Sequence, residues 1–304
     1  MSTLLLRYFC SQRSPRMTKQ LLHTSSLVCA VEKELLARLR KQTGFSIGNC
    51  KKALEMHQND IAKAEVWLQA EAQSKGWEKA TKLSGRQTSQ GLIGIHIEGK
   101  TAAMVEVNCE TDFVARNDKF RQLVTQAAKE CWKGNTLNED VILAKESFST
   151  EQVKTITTED GKTLGDVLAL AIGNIGENMG LPRATRVSAG HDISLVGYCH
   201  PSTIDQDANT GKFGAILAVK TSNSISEVAK QLCVHVIGMN PRAIGSLDDP
   251  KAENPEEESL LIHQEFLSDP TRTVAQVLDD EKMEVIDFIR FGSTAVNSSR
   301  VSTK

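Results

Sequence analysis

The chain of 304 residues has no run of eighteen apolar side chains, so no stretch of it reads as a membrane-spanning helix. Its seven cysteines, Cys10, Cys29, Cys50, Cys109, Cys131, Cys199 and Cys233, form no C-x-x-C pair and no zinc-site spacing, which leaves reduced, mostly buried thiols. His57, His96, His191, His200, His235 and His263 stand without an evident nucleophile or carboxylate dyad nearby in the chain. The sequence therefore offers no catalytic residue, no metal ligand and no cofactor site. Acidic residues are missing from one place only: positions 1–30 contain Arg7, Arg13, Arg16 and Lys19, several Ser and Thr, and no Asp or Glu before Glu32.

That composition is expected of a mitochondrial transit segment over 1–30, and so of a matrix protein, because its short apolar pieces are broken by arginine where a secretory signal needs one apolar core. Without those four basic residues the net charge falls from −2 to −6. Such a body does not hold nucleic acid by bulk attraction to phosphate, so a protein partner is expected, with no direct nucleic acid and no membrane.

What is present begins with a helical module, residues 31–76. Leu35, Leu36 and Leu39, then Ile47, Cys50 and Leu54, then Ile61, Ala64 and Leu68 repeat at helical spacing, each giving one apolar stripe toward a shared centre. Ser46 and Asn59-Asp60 stand where N-caps belong, and Trp67 adds bulk to a small core. The arrangement resembles a ubiquitin-associated (UBA-like) three-helix module, and Thr43-Gly44-Phe45 resembles the glycine-aromatic loop by which such modules hold ubiquitin, so a ubiquitin-binding adaptor is one alternative. Residues 77–90, with Lys79, Lys82 and Arg86 among small polar residues, read as a basic, solvated linker.

Gly94 to Thr101 matches the G-x-x-x-x-G-K-[ST] phosphate loop letter for letter. That motif needs a helix next, whose free N–H groups cradle phosphate, whereas Leu92–Ile97 and Thr101–Val107 both alternate with the period of strands. Gly99 is then a hairpin turn, and the chain by itself is expected to bind no nucleotide.

The hairpin recurs. Gly99-Lys100 through Val107 matches Gly211-Lys212 through Val219, and Leu92-Ile93-Gly94 matches Leu195-Val196-Gly197, which makes the second hairpin longer by nine residues. Helical stripes follow in both copies, Phe120, Leu123, Val124 and Ala127 in one, Ile225, Val228, Ala229 and Leu232 in the other. Lys162-Thr163-Leu164 through Leu168 answers Arg272-Thr273-Val274 through Leu278, and the extended runs 183–188 and 285–291 close each unit. The expected fold class is α+β: the three-helix UBA-like module, then a duplicated antiparallel-sheet-plus-helices core, with subdomains at 91–190 and 191–297 and a disordered tail at 298–304.

The first copy carries an insertion of seven residues where Thr111-Asp112-Phe113-Val114-Ala115-Arg116-Asn117 stands. Charges on both sides of Phe113 break any strand or helix pattern. The ring either folds back onto the local core or faces a partner, and its place in an insertion on a shared scaffold favours the partner.

Thr111 to Asn117, within Glu106-Val107-Asn108-Cys109-Glu110, resembles the signature of the elongation factor Ts family. Cys50-Lys51-Lys52-Ala53-Leu54-Glu55, Gly91-Leu92-Ile93-Gly94, Ile175-Gly176-Glu177-Asn178 and Asp287-Phe288-Ile289-Arg290-Phe291 are similar to that family too, and the likeness runs over about 31–292. The resemblance implies a guanine nucleotide exchange factor without covalent chemistry, whose partner is mitochondrial elongation factor Tu. It further implies that Phe113 wedges near the magnesium site of that GTPase, that Asp112 engages groups there, and that Thr111 and Val114 hold the loop. Bacterial relatives carry a coiled-coil insert in the second half, which the short acidic span 241–270 lacks.

Overall fold

A computed structural model describes residues 31–43, 45–134, 142–202, 209–221 and 227–293. The transit segment, Gly44, Ile225 and the carboxy-terminal tail lie outside the described residues. The chain divides into two compact units, one up to Leu68 and one from Gln69 onward.

In the first unit α1 (Lys33–Thr43), α2 (Ile47–Met56) and the start of α3 (Ile61–Leu83) close on Leu39, Cys50, Ala53, Leu54, Ala64 and Leu68, all buried. Ser46 caps α2 by accepting from Asn49 N at 3.2 Å, and Asp60 caps α3 by accepting from Lys63 N at 3.1 Å. Two expectations change. Ile47 is half exposed rather than core, because as the first residue of α2 it precedes the stripe that Cys50 begins. Phe45 packs against the module's own core, as Trp67 does, so the aromatic of the expected ubiquitin-type loop is engaged at home.

The second unit corrects the linker. Helix α3 continues through Leu83, which is buried, and its residues bond to a later helix. Gln73 Nε2 and Trp77 Nε1 donate to Asp166 at 2.9 Å each, and Lys79 Nζ donates to Gly173 O. Lys75 and Lys82 face water while the opposite side packs through Ala80 and Leu83.

The elements that follow are β1 (Gln90–Glu98), β2 (Thr101–Cys109), α4 (Asp112–Ala115), α5 (Asp118–Trp132), β3 (Leu143–Ser149), α6 (Thr150–Thr155), α7 (Leu164–Ile175) and β4 (Met179–Ala189). After them come β5 (Ile193–His200), β6 (Thr210–Gly211), β7 (Phe213–Thr221), α8 (Glu227–Met239), β8 (Glu265–Phe266), β9 (Asp269–Thr273), α9 (Val274–Asp280) and β10 (Met283–Gly292). One antiparallel sheet has the order β3-β4-β2-β1-β6, a second β10-β7-β5, and β8 pairs with β9 in a third. The duplication is thus topological: β4-β2-β1 in the first sheet is matched by β10-β7-β5 in the second. The helices that precede the closing strands are alike as well, since Thr163 and Thr273 each head a capping box, with Asp166 and Gln276 returning the bond.

Each of these two sheets carries its helices on one face. Leu92, Val105 and Val107 meet Phe120, Val124 and Leu168 in one core; Val196, Leu217 and Val219 meet Leu232, Val236 and Val277 in another. The opposite faces meet each other through Ile93, Ile95, Met104, Leu195 and Ile216. This parity corrects the repeat by one residue. Gly94 pairs with Val105 and Val196 with Leu217, so Gly94 matches Val196, and the second hairpin is one residue longer than the letters suggest. Leu195 matches Leu92 in identity but points to the other face, and a strand's period of two makes face, not letter, decisive.

Gly99, with φ of 59°, turns the chain directly from β1 into β2, and Lys100 Nζ donates to the carbonyls of His191 and Ile193. No helix follows the phosphate-loop match, and its lysine ties down the turn between β4 and β5. The span 241–270 holds short turns and β8, with no helix longer than three residues.

Buried His235 on α8 stacks on Phe266, accepts from Leu267 N at Nδ1 (3.1 Å) and therefore carries its proton on Nε2, facing Gln264 Oε1 at 3.0 Å. Burial lowers its pKa below the ordinary 6.5, with the Gln264 bond working the other way. Below about pH 6.5 the unfolded chain takes up a proton that folded His235 refuses, so this contribution is full above that pH and is lost as pH falls toward the folded value. The urea midpoint is expected to drop between about pH 7.5 and 5.5, and to drop less in His235→Gln. Equal drops in both proteins would remove His235 as the cause.

Candidate functional site

Strand β2 ends at Cys109, and the chain must turn before α5 begins. Thr111, extended at φ −121° and ψ 157°, acts as an N-cap: its Oγ1 accepts from Val114 N at 3.3 Å, starting the single turn α4. The turn closes through Ala115 N to Thr111 O, Arg116 N to Asp112 O and Asn117 N to Val114 O. Asn117 then caps α5 by accepting from Lys119 N at 2.8 Å.

The turn is two-faced. Val114 and Ala115 are buried in the core that α5 shares with β2, whereas Phe113 is 80% exposed. The cap-on-the-core arrangement is absent: the core contacts are made by the residues after the ring. Asp112 and Arg116 pair at 3.1 Å across the exposed side, an interaction worth at most about 1 kcal/mol and readily exchanged for another partner. Thr111, Asp112, Phe113 and Val114 are thus brought together on one turn, two anchoring it and two presented outward.

Two neighbours come from far along the chain. Glu177, between α7 and β4, accepts from Thr111 Oγ1 at 2.8 Å and from Thr111 N at 3.1 Å, one bond to each carboxylate oxygen. Lys212, at the start of the second copy's β7 hairpin arm, donates to Gln90 Oε1 at 3.2 Å. Burial lowers its pKa, as does Arg116, while Cys109 and the carboxylate of Asp112 pull it up, so the ammonium lies within electrostatic reach of the loop. Under the turn, the Cys109 thiol is pushed up to about 12 by burial and by the charge of Glu177, and it donates to Thr111 O. In the sequence Glu177 stands within Ile175 to Asn178 without a role of its own; Lys212 is legible there only as the repeat's counterpart of Lys100. Among the described residues no group of three or more His, Cys, Asp or Glu side chains could hold a metal ion, and no helix is long and apolar enough to cross a membrane.

Comparison with known proteins gives two family matches, "Elongation factor Ts, mitochondrial, N-terminal" over residues 19–78 and "Elongation factor TS" over residues 110–259. The chain is 50% identical over 274 residues to a protein of Aedes aegypti named "Elongation factor Ts, mitochondrial", covering 87% of this chain and 89% of that one. It is 45% identical over 297 residues to the Drosophila melanogaster protein of the same name, covering 95% and 93%. It is 42% identical over 275 residues to the human one, covering 86% and 83%.

Because the ring of Phe113 contributes nothing to the core, Phe113→Ala is expected to leave the unfolding free energy within about 0.5 kcal/mol of the parent. Val114→Ala, which empties a buried site, is expected to cost about 2 kcal/mol. Denaturant melts of the two variants check this, and a larger loss for Phe113→Ala would mean that the ring packs on its own protein.

Proposed function

The chain belongs to the elongation factor Ts family, in its mitochondrial branch, and from that premise we propose that it is a guanine nucleotide exchange factor which binds mitochondrial elongation factor Tu carrying GDP and hastens GDP release. The observation that carries this reading is an exposed phenylalanine on a turn whose backbone is fixed from both ends. With the backbone of the turn already fixed, docking costs little beyond the ring's own rotamer freedom, so much of the roughly 1.5–3 kcal/mol from burying it is available to the complex.

No covalent step is needed. A factor that prefers the nucleotide-free GTPase over the loaded one weakens nucleotide binding by the same coupling free energy with which nucleotide weakens the factor, commonly about 1–3 kcal/mol and more in strong exchange systems. Phe113 wedges between elements of the GTPase beside its magnesium site. Asp112 leaves its weak pair with Arg116 to engage groups there, which disturbs metal and phosphate contacts; GTP then reloads the emptied site. Thr111 and Val114 keep the wedge from yielding, and the helical module and second copy supply the grip against which its strain is sustained.

The test is the release of labelled GDP from mitochondrial elongation factor Tu with and without this protein. The wild type is expected to accelerate release, and Asp112→Ala with Phe113→Ala to return it to the unassisted rate with an unchanged circular dichroism spectrum. Undiminished acceleration by the double variant would overturn the wedge; no acceleration by the wild type would overturn the exchange reading itself.

A further inference from the structure

We propose that Glu177 is a positioning residue of the exchange loop, acting through Thr111 to hold Phe113 outward; this rests on the exchange reading above. Its place follows from the sheet. Cys109 at the end of β2 pairs with Met179 at the start of β4, so the residues just beyond each strand end, Glu110 and Asn178, lie side by side.

Across that gap the two acids exchange partners. Glu177 takes the N–H of Thr111, the residue after Glu110, and Glu110 takes the N–H of Asn178, the residue after Glu177, at 2.6 Å. The second oxygen of Glu110 faces Arg86 Nη1 at 3.5 Å, and Asn178 Nδ2 donates to Arg86 O at 2.7 Å. Each acid thereby ties the backbone beside the other, and the start of the loop cannot shift along β4 without breaking both links.

The hydroxyl of Thr111 explains why a carboxylate is suited to this place. It has one proton and two lone pairs. Glu177 takes the proton, which turns a lone pair toward Val114 N and completes the cap of α4. The bond from Thr111 to Glu177 is charge-assisted, so it fixes the rotor more firmly than a neutral acceptor would. The orientation of α4, and with it the side on which Phe113 emerges, depends on a residue 66 positions away. A glutamine has a single acceptor oxygen for the two donors of Thr111, and an alanine has none.

Glu177 bonds to Thr111, which anchors the turn, so its effect is expected on the maximal rate of release more than on the concentration giving half of it. Glu177→Ala should lower maximal GDP release from elongation factor Tu about tenfold and Glu177→Gln about threefold, with little change in half-saturation. The discriminating measurement is the same substitution in a Phe113→Ala background. With no ring to position, Glu177→Ala should have no further effect there, whereas a residue needed only for general stability would lower release by the same factor in both backgrounds. In the free protein, amide hydrogen exchange at Val114 and Ala115 should quicken in Glu177→Ala while exchange along α5 stays unchanged.

Wild-type maximal release by Glu177→Ala, an equal loss in both backgrounds, or unchanged exchange at Val114 would overturn the proposal. If the wild type does not accelerate release, the exchange reading falls instead, and the exchange at Val114 in the free protein still decides whether Glu177 holds the turn.

Discussion

The layer where the two sheets meet is the contact on which the rest of the core depends. Ile93, Ile95 and Met104 from one sheet close on Ile216 and Leu195 from the other. Their approach is close enough that a Cβ on Gly214 would come within 2.7 Å of Ile93 Cγ2 and 3.0 Å of the Met104 sulfur, so only glycine fits there. Once one face of each sheet is committed to this layer, the other must be covered by the helices that its own copy supplies. At one edge of the layer Arg183 on β4 donates to buried Glu106 and to Gly292 O and lies over the ring of Phe291 at 4.1 Å, which gives a buried carboxylate its partner and joins β4 to β10.

The turn at Thr111–Asn117 gains its character from being built on one copy and braced by parts far along the chain. Its buried half joins the core under α5, its first residue is held by the joint between α7 and β4, and the second copy places Lys212 within electrostatic reach of Asp112 and Arg116. Such bracing makes a short polar turn into a fixed platform. A single turn of helix has no stability of its own in water, and here Thr111, Val114 and Asn117 each link it to neighbouring elements.

Patterns of a single period are legible in the amino-acid order alone. The stripe Phe120, Leu123, Val124 and Ala127 is buried as its spacing requires, and both hairpins form where alternation places them. Patterns that depend on which face is covered are less legible. The lysines of α3 mask a helix whose other side packs through Ala80 and Leu83. Strand β3 escapes such a reading because it is an edge strand with Lys145, Glu146 and Ser147 exposed or half exposed, leaving little alternation to detect. The repeat itself is legible, but with β5 set one residue off, since letters do not record face.

The sequence by itself determined the two hairpins, the helical stripes after them, their duplication and the insertion that interrupts it, because each is written in local periodicity and in spacing along the chain. Only the tertiary structure decided which side of Phe113 faces water, which of its neighbours is buried, and which distant groups meet the loop. Those outcomes depend on the burial of Val114 and on a carboxylate reached through the pairing of β2 with β4. Contacts of that kind join residues whose separation in sequence bears no relation to their separation in space.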